Sequence, residues 1–207
     1  MDESLGVVLL HGLGTGPDNW AATRSHLGPA TTIEAPRICA VDGSLDFSLA
    51  GAVEITREAL GRVDAAQCVL VGHSLGAVVA LATALTDVRL DHLVLVSGFA
   101  KAPRKLLSTQ AAAFRFVPQA LLGRDVDRRA LIKPMKQLRT VDLRARAAAL
   151  DLPTTVVCGT RDWPNRRQAA VLARLIPCAD LRMLHGVGHM VPTQAPDKLA
   201  EIVTGSR

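Results

Sequence analysis

The residues Gly72-His73-Ser74-Leu75-Gly76 set a serine hydroxyl between two glycines. An apolar run, Cys68–Val71, precedes them, and a helical pattern, Leu75–Leu85, follows. A sharp strand-to-helix turn at that point lifts the hydroxyl clear of a sheet. The glycines leave room for the crowded backbone, and the next residue's N–H points at a reacting carbonyl. The N-terminus of the following helix adds potential favourable to a developing oxyanion. This chemistry is nucleophilic attack on an acyl carbon. A serine alone is a poor nucleophile near neutral pH, so it needs a base and a group that orients the base. The bland alternative is a helix-capping serine in a glycine-rich turn, and the strand before it and helix after it favour the nucleophile.

Elements able to carry such a turn alternate along the chain. Apolar or β-branched runs at Leu5–Leu10, Thr31–Ala35, Cys68–Val71, His92–Val96, Thr154–Val157 and Asp180–Leu184 read as strands. Helical spacing covers Pro17–Leu27, Asp46–Val63, Leu75–Leu85, Asn165–Ile176 and Ala195–Val203. Strands alternating with helices predict an α/β fold, a mostly parallel sheet of about six strands covered on both faces. From Lys101 to Leu150 the alternation stops, and an Ala-, Leu- and Arg-rich segment predicts two or three helices between Pro103 and Pro153.

At these residues the chain resembles the α/β-hydrolase family, whose serine, acid and histidine follow in that order, each after a strand. The resemblance runs from about Leu5 to Val203. Gly159-Thr160-Arg161-Asp162 is similar to the family's acid loop, which makes Asp162 the candidate orienting carboxylate. Gly186-Val187-Gly188-His189 is similar to its histidine loop, which makes His189 the candidate base. Leu9-Leu10-His11-Gly12-Leu13-Gly14 resembles the oxyanion loop. The resemblance implies a Ser74-His189-Asp162 triad, with the Leu13 and Leu75 N–H groups as oxyanion donors. It also implies a three-layer α/β/α sandwich forming one domain over residues 1–207, with 101–150 as a lid. His11, Gly12, His73 and Trp163 are the expected substrate neighbours.

Each assignment has a competitor. Asp162 stands where a helix cap is needed. His185 lies near His189 at the end of the last strand, and His26 and His92 read as surface or helix-edge residues. Trp20 reads as a packing residue. The elbow ends in Gly76-Ala77 where the family often has a second glycine, and a sheet without the two strands that usually open the family's sheet is expected. That loss leaves a sheet edge able to associate, so a monomer or a homodimer is expected. A serine at the elbow excludes the carboxylate nucleophile of dehalogenases and epoxide hydrolases of this fold.

Composition narrows the partners. The 207 residues carry 49% hydrophobic and 21% charged residues, enough for a substantial core. Aromatic residues make up 3%, with no tyrosine, too few for a base-stacking platform. Of the net charge of +5, the segment 101–150 holds +9, from twelve Lys or Arg and three Asp, and the remainder is −4. A nucleic-acid partner is therefore not expected. The basic segment is either a solvated helical face or a site for an anionic substrate, with Phe99, Phe114 and Phe116 offering an apolar lining.

The four cysteines lack zinc spacing, and no metal or cofactor is expected. Reduced thiols, an acidic N-terminus and no apolar run near the roughly 18 residues of a membrane span point to the cytoplasm. The expected function is hydrolysis of a small carboxylic ester or lactone through an acyl-enzyme. The alternatives are an acyl thioesterase or acyltransferase, and a ligand-binding protein on a hydrolase scaffold.

Overall fold

The computed structural model describes residues 4–118 and 126–205. Six strands form one sheet: β1 (Leu5–Leu10), β2 (Thr31–Glu34), β3 (Gln67–His73), β4 (His92–Val96), β5 (Thr154–Gly159) and β6 (Ala179–Leu184). They lie in the order β2-β1-β3-β4-β5-β6, and every pairing is parallel. Parallel neighbours require crossovers, which helices supply. These are α1 (Ala21–His26), α2 (Leu49–Gly61), α3 (Leu75–Ala84), α4 (Arg104–Phe116), α5 (Arg128–Leu138), α6 (Arg144–Ala147), α7 (Trp163–Leu175), α8 (Val191–Gln194) and α9 (Pro196–Thr204).

The period of two along each strand divides the core into two layers. Val8, Leu10, Leu70, Leu93, Leu95, Val156 and Cys158 face α2, α3 and α7. Val7, Leu9, Val69, Val71, Val94, Val96 and Val157 face the opposite layer, built on Trp20, Leu27, Val191, Leu199 and Val203. The result is a three-layer sandwich with the central strands buried on both faces, which explains their unbroken apolar runs. Trp20 is fully buried, as a packing residue should be.

Several boundaries differ from the sequence reading for identifiable reasons. Strand β3 runs on through Gly72 and His73, because its ladder with β1 and β4 continues to the elbow. Helix α2 starts at Leu49 rather than Asp46, since the Ser48 hydroxyl caps it by accepting the Gly51 N–H at 3.0 Å. Pro17–Trp20 is a 3-10 turn ahead of α1 rather than the start of one helix. Helix α7 begins at Trp163, two residues early, with Pro164 in its first turn. The last helix, α9, starts at Pro196 rather than Ala195, whose extended φ precedes the proline, and the short α8 before it was not expected. His92 is a half-buried strand residue, not a surface one, and its Nε2 pairs with Thr155 Oγ1 at 2.9 Å.

Between β4 and β5 the described residues form α4, α5 and α6. This segment is tied at its neck by the Ala102 N–H to Val141 and the Leu143 N–H to Ala100. It also reaches the loop after β2 through the Asp127 N–H to Val41 and an exposed Lys133–Asp46 ion pair. Residues 119–125 of the expected helical segment lie outside the described residues.

Candidate active site

All the motifs converge at the C-terminal ends of β1, β3, β5 and β6, where open parallel sheets place their sites. Ser74 follows β3 with φ +55° and ψ −111°, a conformation that costs a non-glycine residue energy. Its N–H donates to Val96 O at 2.8 Å, and its carbonyl accepts the Ala77 N–H at 3.1 Å. These bonds hold the hydroxyl proud of the sheet. A side chain at Gly76 would meet Leu10 O at 2.2 Å and His11 O at 2.7 Å, so only glycine lets α3 approach β1 this closely. The Ala77 methyl, where the family often has glycine, lies against Gly98, which has no side chain to oppose it.

His189 Nε2 stands 3.1 Å from Ser74 Oγ, and His189 Nδ1 is 2.8 Å from Asp162 Oδ2. Asp162 occupies the N-cap position of α7, yet its carboxylate does not cap the helix and turns to His189 instead. Its backbone carbonyl receives the Asn165 and Arg166 N–H groups while its side chain pairs with the imidazole. Burial pushes the Asp162 carboxyl up, but hydrogen bonds from His189 and Asn165 and the nearby His189 charge hold it below the ordinary value. The rival His185 follows β6 in an exposed turn, and His26 is exposed at the end of α1.

Two loops are laced together beneath this row. Arg161 N–H donates to Val187 O at 2.8 Å, and Gly186 N–H to Thr160 Oγ1 at 2.9 Å. His73 is buried under the site with its Nε2 on His189 O at 2.9 Å. That bond requires the proton on Nε2, because a carbonyl only accepts. Burial, helped by the His189 ring 5.0 Å away, pushes His73 down to about 4. His73 thus steadies the His189 backbone and is closed to a substrate, contrary to the sequence reading.

His11 is corrected in the same way. It is fully buried, accepts the Ile38 N–H at Nε2 and donates from Nδ1 to Gly12 O at 2.9 Å. Those partners fix the neutral tautomer and anchor the loop that carries Gly12 and Leu13. Gly12 passes close to Ser74: a Cβ there would lie 3.3 Å from the Ser74 Cβ. Neither the Leu13 N–H nor the Leu75 N–H has an acceptor among the described residues, and Leu75 opens α3, whose positive end faces the site.

Trp163 is 72% exposed, with the Arg166 guanidinium 4.8 Å from its ring centroid. It borders a shallow depression shared with Arg167, Ala170, Leu181 and Met183. Of the phenylalanines expected to line the site, Phe99 is buried and Phe116 is 84% exposed, and the Phe114 side chain lies outside the described residues.

Two neighbours of Asp162 escaped the sequence reading. Asn165 donates to Asp162 Oδ1 at 2.8 Å. Ser97, buried with φ +53°, brings its hydroxyl toward the Asp162 carboxylate and the Cys158 thiol without completing a well-aligned hydrogen bond. An Asn one helical turn after the acid was a signal available in the sequence. The positive φ of Ser97 was not.

The model of the alpha/beta hydrolase family matches residues 7–202. The chain belongs to that family. Solved structures with the same fold include a hydrolase from Pseudomonas aeruginosa PA01, at 22% identity and a TM-score of 0.81 over 99% of this chain and 90% of that one. An esterase from Exiguobacterium antarcticum matches at 16% identity and 0.82, covering 99% and 92% of the two chains. The enol-lactonase from Burkholderia xenovorans LB400 matches at 18% and 0.80, covering 98% and 91%. A search of the curated proteins finds no match. Among the described residues no helix is long and apolar enough to cross a membrane.

Proposed function

We propose that this alpha/beta hydrolase cleaves a small carboxylic ester or lactone through an acyl-enzyme intermediate. The observation that carries the reading is the unbroken row Ser74 Oγ, His189 Nε2, His189 Nδ1, Asp162 Oδ2, with gaps of 3.1 and 2.8 Å. Ser74 Oγ attacks the carbonyl carbon as its proton passes to His189 Nε2. Asp162 holds the Nδ1 proton and offsets the positive imidazolium. The Leu13 and Leu75 N–H groups receive the negative oxygen. Collapse of the intermediate expels the alcohol, which takes the proton from Nε2. Water then repeats the sequence on the acyl-serine and restores the enzyme. Fold-level likeness to an esterase and an enol-lactonase is in keeping with these substrates.

We read residues 101–150 as a lid on one domain, a reading supported by Leu131 of α5 lying over Gly14 of the oxyanion loop. Its basic residues give the thioester alternative little support. Arg104 bonds Arg139 O, Arg128 bonds Arg115 O and Val117 O, and Arg146 bonds Leu85 O, so these guanidiniums are engaged on backbone carbonyls. Asp142 pairs with both Arg144 and Lys101. The buried thiols of Cys39, Cys68 and Cys158 are consistent with a reducing, cytoplasmic setting.

The test is a panel of p-nitrophenyl esters from acetyl to long acyl, with lactones and acyl-CoA at matched acyl length, on wild type and Ser74→Ala. Ester or lactone turnover that vanishes in Ser74→Ala supports the proposal. Faster acyl-CoA turnover favours a thioesterase, and binding without turnover favours a retired enzyme.

A further inference from the structure

Asn165 lies in the first turn of α7, three residues after Asp162. Its Nδ2 donates to Asp162 Oδ1 at 2.8 Å while His189 Nδ1 faces Asp162 Oδ2 at 2.8 Å. Each carboxylate oxygen therefore has its own N–H donor, one from a helix and one from the histidine loop. This arrangement also fixes the amide orientation. Turned over, Asn165 would set its own oxygen against a carboxylate oxygen, two acceptors face to face. The same Nδ2 stands 3.2 Å from His189 Nδ1. Nδ1 has already committed its proton to Asp162, so it cannot accept another, and the approach sets the positive end of an amide dipole beside the ring.

We propose that Asn165 is a positioning residue for the Asp162–His189 pair, pinning the carboxylate opposite the imidazole. The proposal rests on the reading of Ser74, His189 and Asp162 given above. Without the amide, Asp162 Oδ1 loses its donor and the carboxylate is free to turn away from the imidazole, so His189 is less well held as the partner of Ser74.

The other groups around the pair do not supply this hydrogen bond. His73 Nε2 is spent on His189 O, the Ser97 hydroxyl completes no well-aligned hydrogen bond, and the Arg166 guanidinium stacks on Trp163.

The rate of Ser74 modification by a fluorophosphonate probe, with the far-downfield proton NMR signal of the Asp162–His189 hydrogen bond, tests this without knowledge of the natural substrate. Two variants separate donor from shape. Asn165→Ala removes the amide at a helical position that alanine suits. Asn165→Asp keeps the shape and exchanges the donor for a carboxylate. In Asn165→Ala the labelling rate falls about tenfold, and the downfield signal moves or broadens. In Asn165→Asp both change at least as much, because a second carboxylate repels Asp162 instead of donating to it.

An Asn165→Asp variant with the labelling rate and downfield signal of the wild type would mean Asn165 only fills space, and the proposal fails. An unmoved downfield signal in both variants overturns it as well. If wild-type protein is labelled and Ser74→Ala is not, such results sink the Asn165 proposal alone. If wild type resists labelling, or Ser74→Ala labels equally, the reading of the site falls and takes the proposal with it.

Discussion

Substituting Gly98 by alanine places one methyl group on another. A Cβ at Gly98 would stand 2.6 Å from the Ala77 Cβ, and Ala77 is itself buried on α3. Ordinary methyl contacts are about 3.5–4 Å, so the loop after β4 or the elbow helix has to give by about 1 Å. Overpacking of this kind costs about 1–3 kcal/mol. Ala77→Gly alone loses about 1 kcal/mol of helix propensity and about 0.8 kcal/mol of buried methyl. The double variant moves the methyl from helix to loop and relieves the clash. It should unfold near Ala77→Gly, giving a coupling of about 1–3 kcal/mol in the cycle. Urea unfolding of the four proteins measures it. For a chain of this size each kcal/mol is about 2–4 °C, so melting gives a second reading, with Gly98→Ala lowered by about 2–12 °C. If Gly98→Ala costs as much in the Ala77→Gly background as in the wild type, the two methyls do not compete and the reasoning is wrong.

Protonation of His73 should destabilise the fold. Its value falls from 6.5 to about 4 on burial, so between those pH values the unfolded chain binds the extra proton and stability drops as pH falls, by about 3 kcal/mol over the window. Urea unfolding at intervals from pH 7 to 4 should show that slope in wild type and a flatter one in His73→Gln. Asp162, held below its ordinary value by its partners, adds a further loss only at more acidic pH, as it takes up a proton. Native protein at pH 8 should show one fast thiol to an aromatic disulfide reagent, because Cys178 is exposed and burial pushes the other three up to about 11. Four reactive thiols without denaturant would contradict the burial. Asp162→Asn should cut ester kcat by about 10³–10⁴ with the fold intact, whereas Trp163→Ala should change it by less than about threefold. A comparable loss in Trp163→Ala would bring that ring into the site.

The sheet could be read from the chain because its physics is local. Strands buried on both faces appear as unbroken apolar runs such as Val69–Val71, and the crossover helices stand between them. The order of the strands was less accessible, since it depends on crossovers and not on any one segment. Ser74, Asp162 and His189 were visible because each sits on a turn whose glycines and strand context repeat a known pattern. The roles of His11 and His73 were misread for the opposite reason. A histidine beside a nucleophile looks like a substrate contact in one dimension. Only the fold reveals that both rings are buried and that the Ile38 N–H and the His189 carbonyl engage the Nε2 of each. Trp163 shows the same limit, because adjacency to Asp162 along the chain does not decide which side of α7 a ring occupies. The Ala77–Gly98 fit joins residues 21 positions apart, so neither residue alone suggests it.

The central claim is that Ser74 becomes acylated during turnover. Reaction with p-nitrophenyl acetate, quenched in acid within the first turnovers and followed by peptide mass analysis, tests it directly. The account predicts one acetyl group on the peptide holding Ser74, and neither adduct nor turnover in Ser74→Ala. An adduct on another residue, or turnover that survives in Ser74→Ala, would contradict it.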